Sequence, residues 1–362
     1  MLLFIVFLVV IALLLERASL QEGLTYLSYD CKPDRLHTEP GQAFTLITTV
    51  TNRRRLPVAF LRLEELLPDS ADIEGEGLSL RRDASFLRLI STAFLMPKEI
   101  LTRKISISLP TRGRYIFHGA HIYAGDFLGL REKDIPFRQN REIVVYPPPS
   151  KEQLLPRVLG GYFGEHSVRR FILEDPILTL GFRDYTGREP QRYISWSRSL
   201  AKGRLMARQF DHTQDYSVTL LLNTDCGGFV HQDHRLIEEA FSLTRSVCEY
   251  LESRKIRYCF LTNATTAGAL GQWDYLSSGL GPRHFYTIME GLGRATYDRR
   301  DSCAGLFKRA EKGSEQDQAF IVVSPLENPG LPSMMKRLES ATGRAAFLLT
   351  ANPDAAREEA PA

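Results

Sequence analysis

The run Tyr216-Ser-Val-Thr-Leu-Leu-Leu222, followed by Asn223-Thr-Asp-Cys-Gly227, decides how the second half of the chain is read. A near-continuous apolar stretch of this length matches a strand buried on both faces, the habit of parallel sheets covered by helices. The polar loop behind it then lies beyond the strand's carboxyl end, where open α/β sheets bind their ligands.

Downstream the period changes to that of a helix. Leu236, Ile237, Ala240, Phe241, Val247, Cys248 and Leu251 share one face of residues 234–251. A strand at 256–261 follows, then helical patterns around Ile288 and Leu306, the first stopped by Gly293. Strands at 319–323 and 345–349 flank a short helix from Pro332. This alternation predicts a doubly wound α/β domain of von Willebrand factor type A-like character over 214–351, with a disordered tail at 352–362.

Upstream, Pro147-Pro148-Pro149-Ser150 cannot continue a sheet ladder and marks a boundary. Residues 24–146 read as β. Phe44-Thr-Leu-Ile-Thr-Thr-Val-Thr51 follows the turn signal Pro40-Gly41, and residues 105–109 alternate strictly. Short strands with little helical pattern predict an immunoglobulin-like β-sandwich. Residues 147–213 form a linker and motif region.

The first fifteen residues are apolar and, as a helix, span roughly 22 Å. Extension past Glu16 and Arg17, which can snorkel, predicts a transmembrane anchor over 1–20. The protein is expected at the cell membrane as a single-pass protein with cytoplasmic soluble domains. A cleaved signal peptide is the alternative, but no Lys or Arg precedes the run and no A-x-A site follows.

At 362 residues the chain suits two domains. Its 46 basic residues are nearly balanced by 43 acidic ones, which leaves no electrostatic footprint for nucleic acid. Five cysteines without CxxC spacing argue against a secreted disulfide framework and for reduced thiols.

The loop after the first α/β strand is the first candidate site. A metal-holding type A loop reads Asp-x-Ser-x-Ser, three hard oxygens on one side. Here Asn223, Asp225 and Gly227 stand at those positions, a degenerate metal-site loop. No metal is expected; Mg²⁺ can bind only weakly, with Thr262, Asn263 or Ser324 as further ligands. His231 and His234, with Cys226 or Asp225, have spacing compatible with Zn²⁺, but the Glu of the zinc-protease pattern is missing and a solvated helix start is expected. No P-loop, nucleophile elbow or dinucleotide fingerprint is present, so no catalysis and no cofactor are expected. Arg53-Arg54-Arg55 reads as a solvated turn, with contact to anionic lipid headgroups as the alternative. Gly181-Phe-Arg183-Asp-Tyr185 and Arg192-Tyr-Ile194-Ser-Trp196 combine arginines with aromatic rings, and a clasp packing this segment onto the α/β sheet is expected.

That last stretch carries a resemblance. It is similar to the domain of unknown function 58 family, whose pattern runs G-x-R-x-Y-x-P-G-D-x-x-R-x-I-x-W. Gly181, Arg183, Tyr185, Arg192, Ile194 and Trp196 fall in register with it. Arg112-Gly113-Arg114-Tyr115, Asp126-Phe-Leu-Gly129-Leu130 and Val145-Tyr146-Pro147 match its R-G-R-Y, D-P-F-G-L and V-Y-P elements. The chain departs from it at Gly187-Arg188-Glu189, at the degenerate loop, and in having one apolar N-terminal run where two membrane helices are usual. The resemblance implies a bacterial, membrane-anchored protein-binding scaffold or adaptor. It would work with a MoxR-type AAA+ ATPase or its clients in assembling or maturing other proteins. A metal-dependent hydrolase using Asp225, His231 and His234, or an envelope-side structural protein, is the alternative.

Overall fold

The computed structural model describes residues 7, 26–74, 79–83, 85–125, 132–151, 157–161, 179–187, 191–210, 217–226, 233–268, 271, 273–313 and 319–351. The chain divides into two compact units. One comprises Met1–Pro148, Thr266–Gly271 and Tyr286–Thr296; the other comprises Pro149–Thr265, Gln272–Phe285 and Tyr297–Ala362.

The first unit is built on strands β1 (Leu27–Pro33), β2 (His37–Thr38), β3 (Phe44–Asn52), β4 (Val58–Pro68), β5 (Asp72–Glu74), β6 (Ser79–Arg82), β7 (Phe86–Leu95), β8 (Ile100–Ser108), β9 (Gly113–Gly125) and β10 (Glu132–Val145). One sheet runs β1-β3-β8-β5 and the other β2-β10-β9-β4-β7-β6. β3 buries every second residue from Phe44 to Asn52, as a strand with one face on a core must. Leu46, Val50 and Ile107 of one sheet join Leu61, Leu89 and Ile122 of the other in a single hydrophobic cluster, so the two sheets form a sandwich.

A carboxylate sits inside that sandwich. Glu65 on β4 is fully buried. It accepts hydrogen bonds from Tyr29 Oη on β1 at 3.1 Å, from Thr48 Oγ1 on β3 and from the Arg103 guanidinium on β8. Burial pushes the Tyr29 hydroxyl up and the Arg103 guanidinium down in pKa, since each charged form loses water there.

The second unit begins with a hairpin of β11 (Thr179–Asp184) and β12 (Met206–Phe210), between which lie a 3₁₀ turn at Gln191–Tyr193 and helix α1 (Trp196–Lys202). Along the chain there follow β13 (Ser217–Leu222), α2 (His234–Ser253), β14 (Arg257–Thr262), β15 (Ala264–Thr266), β16 (Tyr275–Gly279), α3 (Pro282–Arg294), β17 (Ala295–Arg299), α4 (Cys303–Gly313), β18 (Ala319–Ser324), α5 (Leu331–Thr342) and β19 (Ala346–Thr350), of which α3 from Tyr286 and β17 as far as Thr296 belong to the first unit. The main sheet has the order β16-β14-β13-β18-β19, and β15 pairs with β17 separately. β13 and β18 are buried at every position.

The expected fold class requires correction in three respects. Among the described residues no helix is long and apolar enough to cross a membrane. The longest, α2, carries Arg235, Glu238, Glu239, Arg245, Glu249 and Glu252. The apolar run at 1–20 lies, apart from Phe7, outside the described residues. The transmembrane helix and the single-pass placement at the cell membrane therefore do not stand. The main sheet is not wholly parallel either. β14 pairs with β16 antiparallel, because the chain returns from β14 without a helical crossover. Arg309 fixes this return, donating to the carbonyl of Thr262 at 2.7 Å and to Asp274 at 3.0 Å. Strand also outweighs helix across the described residues. The third correction, to the type A character, concerns the loop after β13 described below. α3 runs through Gly293 to Arg294, and the expected tail at 352–362 lies outside the described residues.

Replacing Glu65 by Ala leaves Arg103, Tyr29 and Thr48 facing a dry hole, so urea melts should show a loss of about 3–5 kcal/mol; a loss within scatter would show the carboxylate to be dispensable. His284 on α3 gives a pH signature. Burial against the edge of the Tyr258 ring, 4.7 Å between centroids, holds its pKa below the ordinary 6.5. Below that ordinary value the unfolded chain takes up the proton more readily than the folded one. Stability is therefore full above about pH 6.5 and falls as the pH drops through the lower folded value. Melts of His284→Asn should lose that part of the slope.

Candidate functional site

The loop after β13 is a closed network of amides. Asn223 is wholly buried. Its Nδ2 donates to Ser324 Oγ at 3.0 Å and to the carbonyl of Asp225 at 3.0 Å. Its Oδ1 accepts from the Asp225 N–H at 3.1 Å and from Asn263 Nδ2 at 2.9 Å. Asn263 Oδ1 in turn accepts from the backbone and hydroxyl of Thr224, at 2.8 and 3.1 Å. Thr262 Oγ1 donates to the carbonyl of Leu222. Thr262, Asn263 and Ser324 thus gather at the ends of β14 and β18, but they satisfy neighbouring protein groups.

The one carboxylate here is engaged too. Asp225 Oδ1 pairs with the guanidinium of Arg299, and Oδ2 accepts from the Cys303 N–H at 3.3 Å. Arg299 supplies inside the fold the positive charge that a divalent cation supplies in a metal-holding loop. The type A character expected for this unit therefore finds no support at the loop that would have carried it. Among the described residues there is no group of three or more His, Cys, Asp or Glu side chains fit to hold a metal. His234 lies flat on the Tyr297 ring, 3.9 Å between centroids. Gly227 and His231 lie outside the described residues. Burial raises the Cys226 thiol, so it is not an activated nucleophile. Nothing in the sequence signalled Arg299, which stands 74 positions from its partner.

The arginine–aromatic stretch is arranged otherwise. Gly181, Phe182 and Arg183 lie on β11; Tyr185 follows it, its N–H bonded to the carbonyl of Leu205 at 2.8 Å. Arg192 lies at the middle of the 3₁₀ turn, and its guanidinium stands over the Tyr193 ring. Ile194 is buried and bridges to Ala207. Ser199 anchors α1 to the hairpin. Its hydroxyl donates to the carbonyl of Ser195 at 2.8 Å and accepts from the Met206 N–H at 2.9 Å. The helix closes on Gly203, which takes the left-handed conformation at φ +64°.

Trp196 does not pack in a clasp. It is 65% exposed, and Leu200, one turn along the same face, is 84% exposed. Phe182 is 38% exposed under the guanidinium of Arg198. The described hairpin and helix carry Arg183, Arg192, Arg198, Lys202, Arg204 and Arg208 against a single acid, Asp184, which pairs with Arg204. A rigid helix thus presents two large apolar side chains in a basic setting. The signal missed in the sequence was the Trp196–Leu200 spacing around a small, buried Ser199.

The R-G-R-Y element belongs to the first unit and has a structural role there. Arg112 donates to the carbonyls of Leu292 and Ala295 at 2.6 and 2.8 Å, satisfying the orphan acceptors at the end of α3. Arg114 and Arg294 bracket the Glu142 carboxylate, each at 2.7 Å, and hold it below the usual carboxylate range. The element at 126–130 lies outside the described residues.

No family model matches the chain. It is similar to the uncharacterized protein YeaD of Bacillus subtilis (strain 168), with 24% identity over 322 residues, 86% of this chain and 73% of that protein. Among solved structures, a cohesin module from a Clostridium perfringens ATCC13124 family 33 glycoside hydrolase covers 33% of this chain and 97% of its own, at 11% identity and a TM-score of 0.26. A non-cellulosomal cohesin from the archaeon Archaeoglobus fulgidus covers 38% and 99%, at 10% identity and a TM-score of 0.24. Likeness this slight carries no argument about fold or function.

With Asp225 held by Arg299, calorimetric titration of the protein with Mg²⁺ should show no binding in the micromolar range. Micromolar binding that survives in Asn223→Ala and vanishes in Asp225→Ala would place a cation where we place Arg299.

Proposed function

We propose that the chain is a protein-binding scaffold and that the Trp196–Leu200 face of α1 is where it docks its partner. One observation carries this reading: a tryptophan and a leucine stand in water on a helix that Ser199 holds rigid. Exposed aromatic anchors in a basic surround fit a partner segment that is both apolar and acidic. The resemblance to the domain of unknown function 58 family supports a MoxR-type AAA+ ATPase as that partner. The alternative of a metal-dependent hydrolase would have to use Asp225, which pairs with Arg299, and His234, which lies stacked on Tyr297.

The double variant Trp196→Ala/Leu200→Ala should melt within about 0.5 kcal/mol of wild type, as exposed substitutions do. Its affinity for a purified MoxR-type ATPase should drop by about thirty-fold or more, as loss of an interface anchor does. Unchanged affinity would overturn the docking assignment. A strongly destabilised variant would restore the packing role for Trp196.

A further inference from the structure

The hairpin between β3 and β4 has a feature that partner docking does not use. Tyr26, Arg53, Arg54, Arg55 and Leu56 line a pocket of about 250 Å³ within the first unit. That is several times the roughly 30 Å³ a water takes up. Three successive arginines line one concavity together with an exposed tyrosine.

The backbone beneath the pocket is tightly fixed. Asn52 is fully buried; its Nδ2 donates to the carbonyls of Leu56 and Met96 at 3.0 and 2.9 Å, and its Oδ1 accepts from the Arg54 N–H at 3.1 Å. One side chain thus closes the arginine turn and ties it to the β7–β8 turn. Arg53 N–H bonds to the carbonyl of Tyr26 at 3.1 Å, placing the ring beside the turn. Lys98 sits at φ +60°, a conformation uncommon for a side chain of its kind, and its N–H bonds to the carbonyl of Arg54. Arg54 is only 6% exposed and still lines the pocket, while Arg53 and Arg55 are exposed. The nearby carboxylate, Glu99, is engaged by the N–H of Met96 at 2.6 Å. Two exposed arginines, Arg53 and Arg55, thus stand on a preorganised frame, although the chain as a whole is nearly neutral.

We infer that this pocket binds a phosphate ester, held by the guanidinium groups of the exposed Arg53 and Arg55, with Tyr26 against the group the phosphate carries. Guanidinium forks match phosphate oxygens in shape and charge, and an organic ester gives the ring something to cover. A soluble phosphate monoester and an anionic lipid headgroup present the same chemistry.

The test uses the full chain at low salt. Calorimetry with inorganic phosphate and with glycerol 3-phosphate should show saturable binding that weakens as salt rises, the ester binding more tightly. Arg53→Gln/Arg55→Gln should lower that affinity by about ten-fold or more, with an unchanged melting curve. Arg53→Lys/Arg55→Lys should retain part of it. Co-sedimentation with phosphatidylcholine vesicles, with and without phosphatidic acid, separates the sources. Binding only with phosphatidic acid, displaced by glycerol 3-phosphate, assigns the headgroup. Binding of the soluble ester without vesicle binding assigns the soluble ligand. No saturable phosphate binding at low salt, or binding equal in wild type and the glutamine variant, would overturn the inference.

Discussion

The buried carboxylate of Glu65 is the constraint on which the sandwich depends. Withdrawing such a charge from water costs several kcal/mol unless an opposite charge and further donors meet it. Tyr29, Thr48 and Arg103 do so from β1, β3 and β8. That convergence requires a particular register. Thr48 stands opposite Cys31 on one side and Arg103 on the other, so a slip of one residue turns the donors away from the core. Leu, Ile and Val fill the space between sheets in many registers; the charge is met in one.

The same rule shapes the second unit with different chemistry. At the carboxyl ends of β13, β14 and β18, Asn223, Thr224, Thr262, Asn263 and Ser324 are all fully buried. In an open α/β sheet this is where ligands are expected. Here the amides and hydroxyls satisfy one another, and Arg299 neutralises Asp225. Each polar group engaged in this way helps tie the ends of the three strands together, so among the described residues this place acts as a structural joint.

Much of this was legible in the sequence, and the exceptions share a cause. β3 and β8 announced themselves by alternation, and β13 by its apolar run. Glu65 was also legible, though overlooked: it is in phase with Leu61, Leu63 and Leu67 on β4, all buried. A charged residue at an inward position marks a partner across the core, but the partner's identity is a matter of three-dimensional register. β16 was not legible. Tyr275-Leu-Ser-Ser-Gly279 is short, polar in part and next to glycine; its place at the sheet edge rests on the ladder with β14 and on Asp274, held by Arg300 and Arg309. Arg299 and Asp225 are distant in sequence, and no local pattern joins them.

The chain's two tryptophans show why residue type alone misplaces function. Trp273 is 3% exposed and leans on Phe260, 5.3 Å between ring centroids, where its area stabilises the fold. Trp196 is the same residue with its area left in water. Hydrophobicity alone would pack both; telling them apart requires knowing what the segment that carries each is fastened to. α1 is fastened through the small Ser199, whose hydroxyl takes up the Met206 N–H, so the helix needs neither Trp196 nor Leu200 to hold its place. An aromatic side chain whose removal leaves its own support intact is available to an interface. This separation of anchoring from presentation is the physical basis of the docking role proposed for α1.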